Sequence, residues 1–153
     1  RFRIFCTSRC LSQKDASRVG LELLDGYATL IQKNFYTHSW ELTNSYWNYY
    51  SLSVPPVGTY EFEELQPSAA SLGEYNVKYV ISLHKLTDKN FELLEEIDDY
   101  LIYENSLNHP RAYYLDNELK PLGEAKILSY SPNLIRVSTE GSPSMNLVLA
   151  EVF

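Results

Sequence analysis

The start of the chain shows the alternation of a β-strand. Phe2, Ile4 and Cys6 occupy every second position, and Arg3 and Phe5 lie between them. A period of two residues is typical of a half-buried strand. Further on, apolar residues recur at helical spacing and predict a helix of about four turns. These residues are Tyr27, Leu30, Ile31, Phe35, His38 and Leu42.

The middle of the chain predicts a short helix followed by a central strand. Ser68 is a suitable N-cap for a helix that ends near Gly73. From Val77 to Leu83 every second residue is apolar, and Val80 makes the opposite face partly apolar as well. Apolar residues on both faces indicate a strand in a sheet that is covered on both sides.

The segment after this strand has apolar residues at three-residue intervals. Phe91, Leu94 and Ile97 follow Thr87 and Asp88, either of which can cap a helix. We therefore predict a helix here. Two further strands are predicted over residues 100–104 and 111–115.

The last third changes to a pure β pattern after Lys120-Pro121-Leu122-Gly123. Turn sequences separate three predicted strands over residues 125–130, 134–139 and 145–153, which favours an antiparallel β meander. The predicted fold class is therefore α+β. One domain over residues 1–153 would combine a mixed sheet and a few helices in residues 1–119 with an antiparallel β part in residues 120–153.

Charge narrows the partners that the sequence allows. The 153 residues carry a net charge of −7, and the thirteen Lys and Arg are scattered without a basic stripe. This composition excludes nucleic acid as the predicted partner. No stretch approaches the roughly 20 apolar residues of a membrane span. Since the chain begins with Arg1 and ends inside an apolar run, we interpret it as a piece of a longer protein.

Motifs of well-known catalytic chemistry are missing from the sequence. There is no Gly-x-Ser-x-Gly elbow, no Gly-rich phosphate loop and no His-Glu-x-x-His. His38 falls on the apolar face of a predicted helix, and His84 and His109 fall in predicted loops. We predict no catalytic residue, no cofactor and no metal site. A solvated helix face explains the acidic run Glu92, Glu95, Glu96, Asp98 and Asp99.

The two cysteines, Cys6 and Cys10, leave two arrangements open. In an extended strand, four residues span roughly 13 Å, which is too far for a disulfide. A turn or a helix between the two residues would permit a bridge. Without a nearby His or a further Cys, the pair is a poor zinc signal because a structural site needs four ligands.

Five residues are candidates for ligand binding. Asp25 and Tyr27 flank a glycine, where helix capping explains the motif at least as well as a ligand does. Trp40 and Trp47 lie in an aromatic stretch whose rings either pack in the core or stack on sugars. Arg111 has a planar fork that suits a carboxylate or a phosphate. We expect it to be buried against Glu104 across two neighbouring strands.

Six short motifs follow one another along nearly the whole chain. They are Phe2-Arg3-Ile4-Phe5, Asp25-Gly26-Tyr27-Ala28-Thr29-Leu30, the segment from Leu72 to Ile81, Tyr103-Glu104-Asn105, Pro110-Arg111-Ala112 and Tyr130-Ser131-Pro132-Asn133-Leu134-Ile135-Arg136-Val137. Their order resembles the extracytoplasmic part of YfhO-like membrane proteins, which are glycosyltransferase-like. In that family the presumed catalytic carboxylate lies in a loop between membrane helices, so the resemblance implies no catalytic residue here.

The resemblance implies a non-catalytic domain that faces the extracytoplasmic side of the cell membrane. Its partners would be the transmembrane part of the same polypeptide and a glycan or another cell-envelope polymer, and it would position an acceptor or support the membrane part. One alternative is a carbohydrate-binding module that uses exposed Tyr and Trp. Another is a small enzyme built on His38, His84 or His109.

Overall fold

The computed structural model describes residues 2–8, 10–24, 65–131, 133–138 and 145–151. Within this part of the chain, two short helices accompany ten strands in three sheets. The helices are α1 (Gln13–Arg18) and α2 (Ala69–Glu74). Since one sheet is mixed and the others are antiparallel, the predicted α+β class is confirmed in its coarse form.

The largest sheet of the described residues has five strands. They are β1 (Arg3–Cys6), β2 (Glu22–Leu23), β3 (Val77–Ser82), β4 (Phe91–Ile97) and β5 (Tyr100–Asn105). Their order across the sheet is β2-β1-β3-β5-β4. Strand β1 pairs in parallel with β2 and β3, whereas β5 pairs in antiparallel fashion with β3 and β4. The prediction that the strand beginning at Val77 is central is confirmed.

The hydrophobic core joins α2 to this sheet. Leu72 of α2 packs with Phe5, Val77 and Val80 in one cluster of fully buried side chains. All four residues of β1 are buried, so the expectation of a half-buried first strand is wrong. The reason is Arg3, whose guanidinium is buried in an ion pair with Glu151 and does not face water.

Helix α2 begins and ends where the sequence predicts. The Ser68 hydroxyl accepts a hydrogen bond from the backbone N–H of Ser71 at 3.3 Å, which is the expected N-cap contact. The Asp88 carboxylate accepts from the N–H of Ala69 at 3.0 Å and satisfies another donor of the first turn. The helix therefore has two side-chain caps at its N-terminus.

The helix predicted over Phe91, Leu94 and Ile97 is wrong, because these residues lie in strand β4. A register shift between Leu93 and Glu95 interrupts the pairing of β4 with β5. This bulge breaks the period of two, so the apolar residues mimic helical spacing. The acidic run is solvated as expected, although it lies on a strand and a turn.

The final strands differ from the predicted meander. Strands β8 (Ile127–Ser131) and β9 (Leu134–Val137) form the expected antiparallel pair. Strand β10 (Asn146–Leu149) pairs with β6 (Ala112–Leu115), not with β9. Strand β7 (Pro121–Glu124) completes this sheet on the other side of β6. The pairing of β10 with β6 brings the residues that follow β10 next to Arg111.

Candidate functional site

Arg111 is the centre of a buried cluster of charges. Its side chain is 6% exposed, and its guanidinium donates from Nε to Glu151 and from Nη1 to Glu22. Its Nη2 donates to the Tyr130 hydroxyl at 2.8 Å. The expected partner Glu104 pairs instead with Lys78, at 3.4 Å. The prediction of a buried, carboxylate-paired Arg111 is therefore right, but the predicted partner is wrong.

Arg3 brings a second guanidinium to the same cluster. Its Nη2 donates to Glu151 at 2.8 Å, and its Nη1 donates to the carbonyl oxygens of Tyr75 and Ala150. We call Arg3, Glu22, Arg111 and Glu151 the arginine–glutamate cluster. Its two positive and two negative charges cancel.

Strand pairing explains how the arginine–glutamate cluster assembles. Arg3 of β1 lies opposite Glu22 of β2 in the parallel register. The N–H of Ala150 donates to the carbonyl of Arg111 at 2.9 Å, which fixes the chain just after β10 and places Glu151 beside Arg111. The cluster thus connects the five-stranded sheet to the sheet formed by β6, β7 and β10.

The pKa values in the cluster follow from burial and pairing. Burial by itself raises the pKa of Glu151, but the hydrogen bond from Arg111 and the charge of Arg3 outweigh it and lower that pKa. Burial lowers the pKa of Arg3. For Arg111, the hydrogen bonds to Glu151 and Glu22 outweigh burial and raise the pKa. Arginine stays protonated in proteins, so neither guanidinium exchanges protons near neutral pH.

Tyr130 forms one wall of the cluster. Its ring lies 4.5 Å from the guanidinium carbon of Arg111, which is cation–π geometry. Tyr130 belongs to β8, so the contact also holds the β8–β9 pair against the charges. Among the residues involved, the sequence singled out only Arg111 as a candidate. For the other residues of the cluster, the sequence contains one local signal: Arg3 is a charged residue within an otherwise apolar strand.

A groove of about 960 Å³ opens next to the cluster. Arg111 and Tyr130 belong to its lining, together with residues from the start of the chain, β3, the loop before β6 and β8. A smaller cavity of about 310 Å³ is lined by the cluster itself. We call the larger one the β3–β8 groove. The described residues that line it are Phe2, Asn76, Lys78, Asn108, Pro110, Arg111, Glu124, Lys126, Ile127, Leu128, Ser129 and Tyr130.

The two described histidines lie in loops, as predicted. The Nε2 atom of His84 lies 2.6 Å from the carbonyl oxygen of Leu65. The ring of His109 stacks on Tyr113 at 4.9 Å between centroids. Neither imidazole has a carboxylate partner within the described residues. His38, the third histidine of the chain, lies outside the described residues.

Four of the five candidates for ligand binding lie outside the described residues, so their ligand roles stay predictions. They are Asp25, Tyr27, Trp40 and Trp47.

The cysteines Cys6 and Cys10 form a disulfide, with a Cα separation of 5.9 Å. A bend supplies the turn that such a bridge requires, since the N–H of Cys10 donates to the carbonyl of Ser8 at 2.9 Å.

Across the described ranges, no group of three or more His, Cys, Asp or Glu has the arrangement of a metal site. In the same ranges, no helix has the length and apolar character that crossing a membrane would require. Comparisons of the chain with protein-family models, with curated proteins and with solved structures found no match.

Proposed function

We propose that the chain is a non-catalytic domain of a glycosyltransferase-like membrane protein and that it faces the extracytoplasmic side of the cell membrane. The observation that carries this proposal is the arginine–glutamate cluster. It brings ionisable side chains together, as an active site does, but every charge in it is neutralised by another. Its role is to hold sheets together.

A catalytic centre for group transfer needs a side chain that gains or loses a proton during the reaction. Arg3 and Arg111 remain protonated, and Glu151 is held in its ionised form by both of them. Such side chains can fix geometry, but Arg3, Arg111 and Glu151 supply no acid or base poised near neutral pH. A supporting or positioning domain fits this chemistry.

The disulfide supports the proposed side of the membrane. Disulfides persist in oxidising compartments and are rare in the cytosol. The bridge between Cys6 and Cys10 closes a bend directly after the buried strand β1. The order of the six sequence motifs gives the same placement through the resemblance to YfhO-like proteins. The transmembrane part of the same polypeptide would then be the first partner of this domain.

Two measurements test the proposal. The isolated chain should show no transfer or hydrolysis with lipid-linked sugar donors, because the reacting groups would lie in the membrane part. Reproducible turnover that disappears with Glu151→Gln would overturn the non-catalytic assignment. In intact cells that express the full-length protein, added protease should cleave within this chain. Protection from the outside, with cleavage only after lysis, would overturn the extracytoplasmic placement.

A further inference from the structure

Strand β4 forms an edge of the five-stranded sheet and carries three exposed apolar side chains. Among the described strands it pairs with β5 alone. Leu93, Leu94 and Ile97 are between 47% and 50% exposed, and the bulge leaves Leu94 without an opposite residue on β5. The outer side of an edge strand presents unpaired backbone N–H and C=O groups. With seven residues, β4 is long enough to serve as a template for one more strand.

Free carboxylates accompany these apolar side chains. Residues 91–99 contain five acidic residues and neither Lys nor Arg. Within the described part of the chain, none of the five forms an ion pair, and all of them are exposed. The negative charge of this edge is therefore available to a partner. The five residues are Glu92, Glu95, Glu96, Asp98 and Asp99.

The pairing of β4 with β5 assigns its side chains to the two faces of the sheet. Leu93 lies opposite Tyr103, and Tyr103 belongs to the hydrophobic core. Phe91, two residues before Leu93, is buried in the same core. Glu92 and Glu95 lie opposite the two neighbours of Tyr103, which point to the other face. An added strand would therefore meet apolar side chains on one face and carboxylates on the other.

The charges decide which kind of strand fits this edge. Two copies of β4 would bring carboxylates close to one another, and like charges on opposite strands destabilise a sheet. Charged residues on an edge are also a common protection against pairing of identical chains. The same carboxylates attract a strand that carries lysine or arginine. Since Leu93 and Leu94 keep the edge partly apolar, the charges restrict the choice of partner and do not block the edge.

We propose that the outer side of strand β4 binds an extended segment of another protein by strand addition, and that this segment alternates basic and apolar residues. Its basic side chains lie beside Glu92 and Glu95, and its apolar side chains extend the surface of Leu93. Main-chain hydrogen bonds supply the affinity of such an added strand, and the side chains supply its specificity. The inference does not depend on the membrane assignment, so either proposal can fail alone.

The test is an NMR titration of the isotope-labelled chain with a synthetic peptide of alternating lysine and valine, about eight residues long to match β4. It should shift the backbone resonances of residues 91–97. Two control peptides replace lysine by glutamate, or valine by proline, which has no N–H to donate. Each should bind at least about tenfold more weakly. The proposal fails if the lysine–valine peptide leaves these resonances unchanged at millimolar concentration, or if the lysine–proline peptide shifts them equally.

Charge variants separate this edge from general charge attraction. The double variant Glu92→Gln, Glu95→Gln should weaken binding of the lysine–valine peptide about fivefold, because two cross-strand ion pairs are lost. The matched control is Glu118→Gln, Glu124→Gln, which removes the same charge from exposed positions in β7 and the turn before it. An equal loss of affinity in the two double variants would overturn the proposal.

Leu93→Ser tests the apolar face of the added strand. The affinity for the lysine–valine peptide should fall severalfold, because the valines lose apolar surface to pack on. The matched control is Leu122→Ser, since Leu122 is 52% exposed on β7, the edge strand of another sheet, and Leu93 is 50% exposed. Unchanged affinity in Leu93→Ser, or an equal loss in Leu122→Ser, would overturn the stated geometry. If a variant does not fold, the three peptides on the unsubstituted chain decide the outcome.

Discussion

Asn105 shows how a single buried amide can hold several segments together. Asn105 is only 2% exposed. Its Nδ2 donates to the carbonyl oxygens of Ala69 at 2.8 Å and Val77 at 3.1 Å, and its Oδ1 accepts from the N–H of Leu107 at 3.0 Å. The amide therefore joins the start of α2, the start of β3 and the turn after β5.

Replacing Asn105 by alanine should destabilise the protein by about 2–3 kcal/mol, because backbone groups of Ala69, Val77 and Leu107 lose a hydrogen bond, two of them in the buried interior. Urea denaturation of the two proteins measures the change in the free energy of unfolding. The control is Ser106→Ala, since Ser106 is exposed and its hydroxyl makes one hydrogen bond, to Asn90 at 2.9 Å. Equal losses in the two variants would contradict the role given to Asn105.

For single side chains, only contacts with residues nearby in the sequence could be predicted. The N-cap at Ser68 was predictable because its partner, Ser71, lies three residues away. The partner of Arg111 was not, because Glu151 lies 40 residues further along the chain. Glu104 was the wrong choice because strand order decides which carboxylate reaches Arg111, and Glu104 faces Lys78 on the next strand.

Among the elements, α2 depends on one glycine. A Cβ atom built on Gly73 would lie 2.1 Å from the carbonyl oxygen of Leu107, so the helix and the loop after β5 approach more closely than any other residue allows. The N–H of His109 also donates to the carbonyl of Gly73, at 3.2 Å. The close approach fixes the loop that leads to Arg111.

Gly73→Ala tests this approach, because helix propensity and packing predict opposite signs. Alanine is better than glycine in a helix by about 1 kcal/mol. The clash with backbone atoms of Leu107 should outweigh this gain and give a net destabilisation of about 1–3 kcal/mol. Thermal and urea denaturation measure it. Gly123→Ala is the control, since no atom lies within 4 Å of a Cβ there. A more stable Gly73→Ala protein would show that the loop moves away freely.

Strand β4 shows why one element was predicted wrongly. Apart from Phe91, its residues are exposed, and Leu93, Leu94 and Ile97 are between 47% and 50% exposed. An exposed edge strand with a bulge has no strict alternation, because neither face is required to be apolar throughout. The pairing of β10 with β6 could not be predicted either, because the pairing of strands that are distant in the sequence does not produce a local sequence pattern.

At the scale of the molecule, the arginine–glutamate cluster connects two sheets of the described part of the chain through ion pairs. Arg111 and Glu151 flank strands of one sheet, whereas Arg3 and Glu22 belong to the other. The removal of one member of a buried ion pair leaves an uncompensated charge, which typically destabilises a protein by about 3–5 kcal/mol. Arg111 also lines the β3–β8 groove, so loss of the connection would change the shape of the groove.

The cluster should make the protein sensitive to acid. The charges of Arg111 and Arg3 lower the pKa of Glu151 in the folded state below its ordinary value of 4.5. The unfolded state therefore takes up the proton first as the pH falls. The resulting stabilisation is complete above about pH 4.5 and is lost as the pH falls through the folded-state pKa. Urea denaturation between neutral pH and pH 3 should show this decline.

Glu151→Gln identifies the group responsible for that decline. The variant should be less stable at neutral pH, because a neutral amide leaves two arginines with one carboxylate, and its stability should depend less on pH below the ordinary pKa of Glu151. Some dependence should remain, since the hydrogen bonds from Asn90 and Ala69 outweigh burial and lower the pKa of Asp88. Glu118→Gln, at an exposed ion pair with Lys120, should keep the full acid dependence. If Glu151→Gln also kept it, the arginine–glutamate cluster would not be the pH-dependent connection between the sheets.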